Sequence, residues 1–150
     1  ETRKSALRAC VDLLHRLGNA RPKIAILSAT ESVIPSVPSS VEADELARWA
    51  ADEVTNADVA GPLALDLILS PEAVITKGLA GHPVAGQADA VIVPDIVSGN
   101  VLFKALVYLS GGCAGGLVMG AKVPILLTSR ADPAAARLAS AALAAIARAR

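Results

Sequence analysis

The stretch KIAILSA at residues 23–29 decides the fold, because it is a short apolar run bounded by proline and polar residues. Such a run is typical of a strand that is buried on both faces of a parallel sheet. The stretch ADAVIV at residues 88–93 has the same character. Two later runs, residues 116–119 and 123–127, are interpreted as further strands of this kind.

Helices are predicted between these strands from apolar spacing and capping signals. The predicted helices are residues 3–17, residues 41–54 behind a Ser39–Glu42 capping box, a helix beginning at Ser70-Pro71, residues 98–109 capped by Ser98, and an alanine-rich helix from Asp132-Pro133 to the C-terminus. Residues 31–40 and 61–66 are predicted loops, because proline or glycine interrupts them. Alternating strands and helices predict an α/β fold with a mostly parallel sheet and helices on both faces.

Composition narrows the function classes. The 150 residues carry 14 Lys+Arg and 14 Asp+Glu, and only 2% are aromatic. Balanced, scattered charge argues against nucleic-acid binding and membrane-surface binding. Because no apolar stretch approaches ~18–20 residues, no membrane span is expected. Two cysteines without metal or disulfide spacing, and no signal peptide, predict a cytoplasmic protein without a metal site.

The strongest chemical signal is LTSRADP at residues 127–133. A hydroxyl and a guanidinium between a strand end and a helix start combine hydrogen-bond donors, fixed charge and a positive helix terminus. This pattern favours a phosphate site at Ser129 and Arg130. The competing interpretation is an ordinary helix start in which Asp132 serves only as the cap.

A second group follows the strand at residues 88–93. Asn100, Lys104 and Tyr108 are spaced four residues apart, so they share one helix face that could line a cleft or simply be solvated. The GPLALD segment at residues 61–66 could direct Asp66 into a site, or form only a turn.

Two tempting signals are rejected. Residues 115–122 resemble a phosphate-binding P-loop but lack its Gly-Lys-Ser/Thr ending. Ser129 has no His and Asp partners in a hydrolase pattern, so a serine-nucleophile triad is not expected.

Four motifs resemble those of the phosphate acetyl/butyryltransferase family: AILSATE, GPLALD, VPDIVSGNVLFK and VPILLTSRADP. They occur in the family's order and approximate spacing, and the resemblance extends from Lys23 onward. It is closest to the phosphate butyryltransferase-like branch, which includes proteins fused to an enoyl-CoA hydratase domain. The resemblance implies the reaction acyl-CoA plus phosphate giving acyl phosphate plus CoA, and an isocitrate/isopropylmalate dehydrogenase-like fold.

The resemblance also implies site residues. Ser129 and Arg130 carry the family's Ser-Arg pair, with Arg130 holding phosphate and Ser129 donating a hydrogen bond. Asp132 is the third catalytic candidate, but it departs from the family pattern, because acetyl-type members place an acidic residue farther beyond the pair, at the spacing of Ala136 here. The implied substrate-binding residues are Asn100, Lys104, Asp95, Gly61, Pro62, Asp66 and Thr128. No bound cofactor is implied, because CoA is a substrate.

The resemblance further implies that residues 1–150 form the second domain of a phosphate acyltransferase, with a first domain outside this chain completing the site. The isolated chain is then expected to have little activity. A homodimer is expected from the small-residue segment 111–116 and from the terminal-helix positions Leu138, Ala142, Ala145 and Ile146, and the family precedent agrees. The alternative function is a non-catalytic CoA- or anion-binding or dimerisation domain.

Overall fold

The computed structural model describes residues 1–148 as six helices and five strands. Their bounds are α1 Thr2–Arg16, β1 Lys23–Leu27, α2 Pro38–Glu53, β2 Asp58–Leu63, α3 Leu65–Leu69, α4 Pro71–Thr76, β3 Ala90–Ile92, α5 Ile96–Tyr108, β4 Leu117–Val118, β5 Ile125–Leu126 and α6 Ala134–Arg148.

The main sheet contains three parallel strands in the order β2-β1-β3. Alternate residues of β1 point to opposite faces, as the pleat of a strand requires. Ile24 and Ile26 pack in one cluster with Leu7 of α1 and Leu46 of α2, whereas Ala25 packs in a second cluster that contains residues of α3 and α4. The predicted α/β fold with helices on both faces of the sheet is confirmed.

The prediction of a loop at residues 61–66 is wrong, because Asp58–Leu63 forms the edge strand β2. Gly-Pro reads as a turn, but proline is tolerated on an edge strand, where its missing N–H removes no ladder bond. The glycine has a packing reason: a Cβ on Gly61 would lie 2.6 Å from the Cβ of Ile26. The strand therefore approaches β1 more closely than any side chain would allow.

The last two predicted strands exist, but their predicted environment is wrong. Leu117–Val118 and Ile125–Leu126 form a short antiparallel pair apart from the main sheet. Neither residue of β5 is buried. Helix α6 packs against this pair and against α1. Glycine and proline lie at the ends of exposed apolar runs as well as buried ones. Flanking glycine and proline therefore could not show whether a predicted strand is buried.

Two predicted helix starts differ from the structure. Helix α2 begins at Pro38 without a side-chain cap, and Ser39 instead contacts Ser28, with 3.0 Å between their hydroxyl oxygens. Helix α5 is capped by Asp95, which accepts hydrogen bonds from the backbone N–H and the hydroxyl of Ser98. The Ser39–Glu42 capping box and the Ser98 cap are therefore wrong.

The cap at Ser70 is confirmed, because its hydroxyl accepts the N–H of Ala73 at 3.1 Å. Helix α6 begins one residue after Pro133. Its predicted extension over residues 149–150 lies outside the described residues.

Candidate functional site

Residues 128–132, within the loop between β5 and α6, are called the Ser-Arg turn below. The backbone N–H of Ser129 donates to the Asp132 carboxylate at 2.5 Å, and the N–H of Asp132 donates to the Ser129 carbonyl at 3.1 Å. These reciprocal hydrogen bonds close the turn on itself. The side chain of Asp132 is thus directed back toward Ser129 rather than along α6.

The Ser-Arg turn presents a cation and a hydroxyl group. Arg130 is exposed, and its guanidinium makes no hydrogen bond or ion pair with the described residues. Ser129 is half-buried. The turn also precedes the N-terminus of a 15-residue helix, where the helix dipole favours negative charge. An anion at this position would meet positive charge from the side chain and from the helix.

A cleft of about 670 Å³ separates α5 from the Ser-Arg turn, and we call it the α5 cleft. It is lined by Val93, Ile96, Gly99, Asn100, Phe103, Ala114, Gly115, Gly116, Leu117, Leu127, Thr128, Ser129 and Asp132. Because Val93 directly follows β3, the cleft lies beside the carboxyl end of a main-sheet strand. Ligands of open α/β sheets characteristically bind at such strand ends.

The α5 cleft brings together four of the predicted site residues, namely Asn100, Thr128, Ser129 and Asp132. Lys104 is one turn beyond Asn100 on α5 and does not line the cleft. Its ammonium lies 5.3 Å from the ring centroid of Phe103 and 5.7 Å from that of Tyr108. Lys104 is therefore a neighbour of the cleft wall, held by two aromatic rings.

Asp95 does not line the α5 cleft and instead caps α5. Hydrogen bonds from Ser98, first from its backbone N–H and then from its hydroxyl, lower the pKa of the Asp95 carboxyl. The residue lines a neighbouring depression of about 590 Å³ that includes Arg3 and Glu42 and shares Val93 and Ile96 with the α5 cleft. Its observed role is structural.

Gly61, Pro62 and Asp66 are also separate from the α5 cleft. Gly61 and Pro62 line a depression of about 400 Å³ near Glu31. The Asp66 carboxylate forms an ion pair with the Lys77 ammonium at 3.0 Å, and that ammonium also lies 3.6 Å from the Glu31 carboxylate. The Lys77 hydrogen bond lowers the pKa of Asp66, and the same contact raises the pKa of Lys77.

The sequence did not predict the contribution of Lys77 and Glu31 to this cluster. A signal was available, because Glu31 and Asp66 follow the carboxyl ends of two strands, and those ends meet at one sheet edge when the strands are parallel neighbours. Because residues 61–66 were predicted to form a loop, the strand that ends before Asp66 was missed, and with it the closeness of Asp66 to Glu31. Lys77 has no comparable sequence signal, because it meets Asp66 only through the packing of α4.

The same depression contains His82, whose Nδ1 atom is fixed by the backbone. It accepts the N–H groups of Val84 and Ala85 at 3.1 and 3.0 Å. Both donors belong to buried residues. Nδ1 must therefore be unprotonated, and burial lowers the pKa of the ring.

Within residues 1–148, no group of three or more His, Cys, Asp and Glu side chains is placed to hold a metal ion. Among the same residues, none of the helices has the length and apolar character required to cross a membrane. The fold and the site together define an α/β domain with a turn that carries a hydroxyl and a guanidinium at one side of an apolar cleft.

Comparison with known proteins identifies the family. Residues 5–145 match the family described as phosphate acetyl/butaryl transferase, so the chain belongs to this family, as the four motifs predicted. The phosphate acetyltransferase of Rhizobium meliloti is 44% identical over 147 residues, which cover 97% of this chain and 46% of that protein. The phosphate butyryltransferase of Clostridium acetobutylicum is 40% identical over 137 residues, which cover 91% and 45%.

A solved structure agrees with these relatives. The branched-chain phosphotransacylase from Enterococcus faecalis V583 superposes with a TM-score of 0.89 at 40% identity, covering 97% of this chain and 52% of that one. The chain spans about half the length of the curated relatives it matches.

Proposed function

We propose that the protein containing this chain transfers a short acyl group between CoA and inorganic phosphate. The observation that carries the proposal is the Ser-Arg turn, in which Ser129 lines an apolar cleft and the next residue, Arg130, which does not itself line the cleft, presents a guanidinium that is exposed and unpaired within the described residues. Family membership supplies the reaction class. The reaction needs two anionic substrates to be aligned and an oxyanion to be stabilised, and neither task requires a bound cofactor. CoA enters as a substrate.

Arg130 and Ser129 are the proposed catalytic residues. The Arg130 guanidinium can make two parallel hydrogen bonds to a phosphate, and its charge offsets the negative charge that develops on the thioester carbonyl oxygen. The Ser129 hydroxyl supplies one further donor. Thr128, the preceding residue of the turn, is proposed to contact the substrate from the same cleft wall.

Asp132 is proposed to position the turn rather than to act as a base. Its carboxylate already accepts the Ser129 N–H, and its own N–H is bonded to the Ser129 carbonyl. A hydrogen bond to a charged acceptor stabilises a loop more than a neutral one does. This arrangement fixes the direction in which Ser129 and Arg130 leave the backbone.

Asn100 and Lys104 are proposed to bind CoA. Asn100 lines the α5 cleft, and the Lys104 ammonium is not ion-paired within the described residues, so it remains available to a CoA phosphate. Gly61, Pro62, Asp66 and Asp95 lie outside this cleft. Any substrate contact by these four residues would therefore involve a part of CoA that extends beyond the α5 cleft.

We also propose that this chain is the second domain of a longer transferase, and that a first domain covers the α5 cleft. The chain aligns with only 46% of the Rhizobium meliloti relative. Arg130 is exposed, and water would compete with phosphate there unless another surface excluded it. The 150-residue chain alone is accordingly expected to have little turnover.

A homodimer is proposed from the outer surface of α5. This helix has no buried residue, and the side chains of Val97 and Val101, one turn apart, are 69% and 62% exposed, while Leu109, which directly follows the helix, is 86% exposed. Exposed apolar side chains grouped in this way favour an interface, and a two-fold pair is the commonest closed arrangement. Light scattering should show a dimer, and Leu109→Glu should convert it to a monomer. A monomeric parent protein at micromolar concentration would refute this proposal.

We propose a cytoplasmic location for the protein. Both Cys10 and Cys113 are free thiols, and free thiols are typical of a reducing compartment. Fractionation of cells that express the complete gene would test this.

The test of function is phosphate-dependent release of CoA from a panel of acyl-CoA thioesters, measured on the complete protein and on this chain. Omission of phosphate is the first control. The matched protein control is Arg48→Ala, which removes an exposed arginine that pairs with Asp44 on α2 and does not line the α5 cleft. Equal CoA release with and without phosphate would show hydrolysis rather than transfer, and would refute the proposal.

A further inference from the structure

Gly116 is bonded to both of the elements that flank the Ser-Arg turn. Its backbone N–H donates to the Ser140 hydroxyl oxygen at 3.0 Å, and its carbonyl accepts the N–H of Leu127 at 3.1 Å. Ser140 belongs to α6, and Leu127 directly follows β5. Gly116 also lines the α5 cleft, so one residue of the cleft wall is tied to the helix after the turn and to the strand before it.

The cleft wall approaches β5 and α6 too closely for side chains to fit between them. A Cβ on Gly116 would overlap the Leu127 carbonyl oxygen, and a Cβ on Gly115 would lie 2.7 Å from Leu143 Cδ1 and 3.3 Å from the Ala139 carbonyl carbon. Glycine permits this approach because it has no Cβ. The spacing between the wall, the strand and the helix is therefore set largely by backbone contacts.

Ser140 is a polar residue at a position where alanine would suit the helix better. Helix α6 is rich in alanine, and Ser140 is only 1% exposed. Alanine has the higher helix propensity, and a serine inside a helix competes for backbone hydrogen bonds. The hydroxyl donates its proton to the Ala136 carbonyl at 2.8 Å, which directs the oxygen to accept from Gly116. The hydroxyl thus serves the contact with the cleft wall rather than the helix.

The Ser-Arg turn lies within a closed ring of covalent and hydrogen bonds. From Gly116 the ring runs through the hydrogen bond to Leu127 and along residues 128–133 into α6. It returns from α6 through the Ser140 hydroxyl to Gly116. Because both ends of the turn are tied to the same wall residue, the position of Ser129 beside the cleft depends on the bond that Ser140 makes.

We propose that Ser140 is a positioning residue for the phosphate side of the reaction. Its hydroxyl seats α6 on Gly116 and thereby holds Ser129 and Arg130 where they meet phosphate. Ser140 does not line the α5 cleft, so it acts through the turn and not on the substrate. The proposal rests on the proposed transferase function and adds a residue that lies outside the four motifs.

Loss of the hydroxyl should impair the use of phosphate more than the use of CoA. Alanine is a good helix former, so Ser140→Ala should keep the fold and lose only the tie to Gly116. One neutral hydrogen bond is worth about 1 kcal/mol, or roughly fivefold, and displacement of the groups that hold the substrate adds to this loss. We therefore expect kcat/KM for phosphate to fall roughly tenfold or more. KM for acyl-CoA should stay near the parent value, because the residues proposed to bind CoA lie on α5.

The first experiment measures kcat and KM for phosphate and for acyl-CoA in the complete protein. Ser140→Thr keeps a hydroxyl on the same carbon and should recover most of the loss, whereas Ser140→Cys has only a weak acceptor and should recover little. The matched control is Ser40→Ala. Ser40 is a fully buried serine of α2 whose hydroxyl bonds to the backbone of Ile34 and Val37, and it does not line the cleft.

A role that was only structural would give a different result. Ser40→Ala should lower thermal stability and leave KM for phosphate unchanged. A folded Ser140→Ala protein with the parent kcat/KM for phosphate would overturn the proposal, and so would an equal rise in KM for phosphate in Ser40→Ala. If Ser140→Ala does not fold, the comparison of Ser140→Thr with Ser140→Cys decides the matter.

The second experiment separates the positioning role from the proposed reaction. Inorganic phosphate is titrated into ¹⁵N-labelled complete protein without any thioester, and the amide resonances of Ser129 and Arg130 are followed. Ser140→Ala should raise the Kd for phosphate roughly fivefold or more, and Ser40→Ala should not. If no thioester is turned over, the proposed reaction fails, while this difference would still support the positioning role. Equal Kd values in the parent and Ser140→Ala, or amides that phosphate does not shift, would overturn the positioning role even in an active enzyme.

Discussion

Substitution of Asp132 separates a positioning role from a proton-transfer role. The carboxylate accepts the Ser129 N–H at 2.5 Å, and this contact helps to close the Ser-Arg turn. Asp132→Asn keeps an acceptor oxygen in nearly the same place but removes the charge and the basicity. Asp132→Ala removes the acceptor altogether.

The two roles predict different magnitudes. A hydrogen bond to a charged group contributes about 1.5–3 kcal/mol and a neutral one about 1 kcal/mol. If Asp132 positions the turn, Asp132→Asn should cost about 1 kcal/mol, or roughly fivefold in kcat/KM, and Asp132→Ala should cost roughly ten- to a hundredfold. If Asp132 were a general base, both substitutions should cost roughly 10²- to 10⁴-fold.

The assay is phosphate-dependent CoA release by the complete protein, measured as kcat/KM across a range of pH. Thermal unfolding of each variant controls for loss of fold. The pH profile of the Asp132→Asn protein should keep the shape of the parent profile. A folded Asp132→Asn protein that has lost a hundredfold or more of its activity would refute the positioning role.

Three other changes test the site and the fold. Arg130→Ala should lower kcat roughly a hundredfold or more, Arg130→Lys should recover part of that loss, and Ser129→Ala should cost less than Arg130→Ala, with Arg48→Ala as the neutral control in the same CoA-release assay. Burial lowers the pKa of His82 in the folded protein, so the unfolded chain takes up the proton at a higher pH than the folded chain does. The free energy of unfolding, measured by urea titration, should therefore fall as the pH drops below about 6.5, and this fall should be smaller in His82→Asn. Leu7→Ala, at a fully buried position, should lower the free energy of unfolding by about 2–5 kcal/mol in the same titration. Normal turnover by Arg130→Ala, a pH response unchanged in His82→Asn, or a loss below about 1 kcal/mol for Leu7→Ala would each contradict the corresponding reasoning.

The sequence was sufficient where one physical signal dominates. The apolar run of β1 and the helical spacing of Leu7 and Val11 in α1 have no competing interpretation, and both elements were predicted within two residues of their bounds. Motif order was also sufficient to identify the family.

The sequence was insufficient where tertiary contacts choose between local alternatives. Gly61-Pro62 has the local preference of a turn, and only its closeness to Ile26 makes it part of a strand. Asp132-Pro133 has the pattern of a helix cap, yet the carboxylate bonds backward to Ser129. In each case the partner is fixed by backbone geometry that residue types do not encode.

The buried hydroxyl of Ser140 links helix α6 to Gly116 of the cleft wall. It accepts the backbone N–H of Gly116 at 3.0 Å and donates to the Ala136 carbonyl at 2.8 Å. Helix α6 begins shortly after the Ser-Arg turn. Less than two helical turns later, Ser140 bonds the helix to Gly116, which directly precedes β4. Hydrogen–deuterium exchange at the Gly116 amide should report whether α6 is docked, so a substitution on the outer surface of that helix can be checked for indirect effects on the cleft before its kinetics are interpreted.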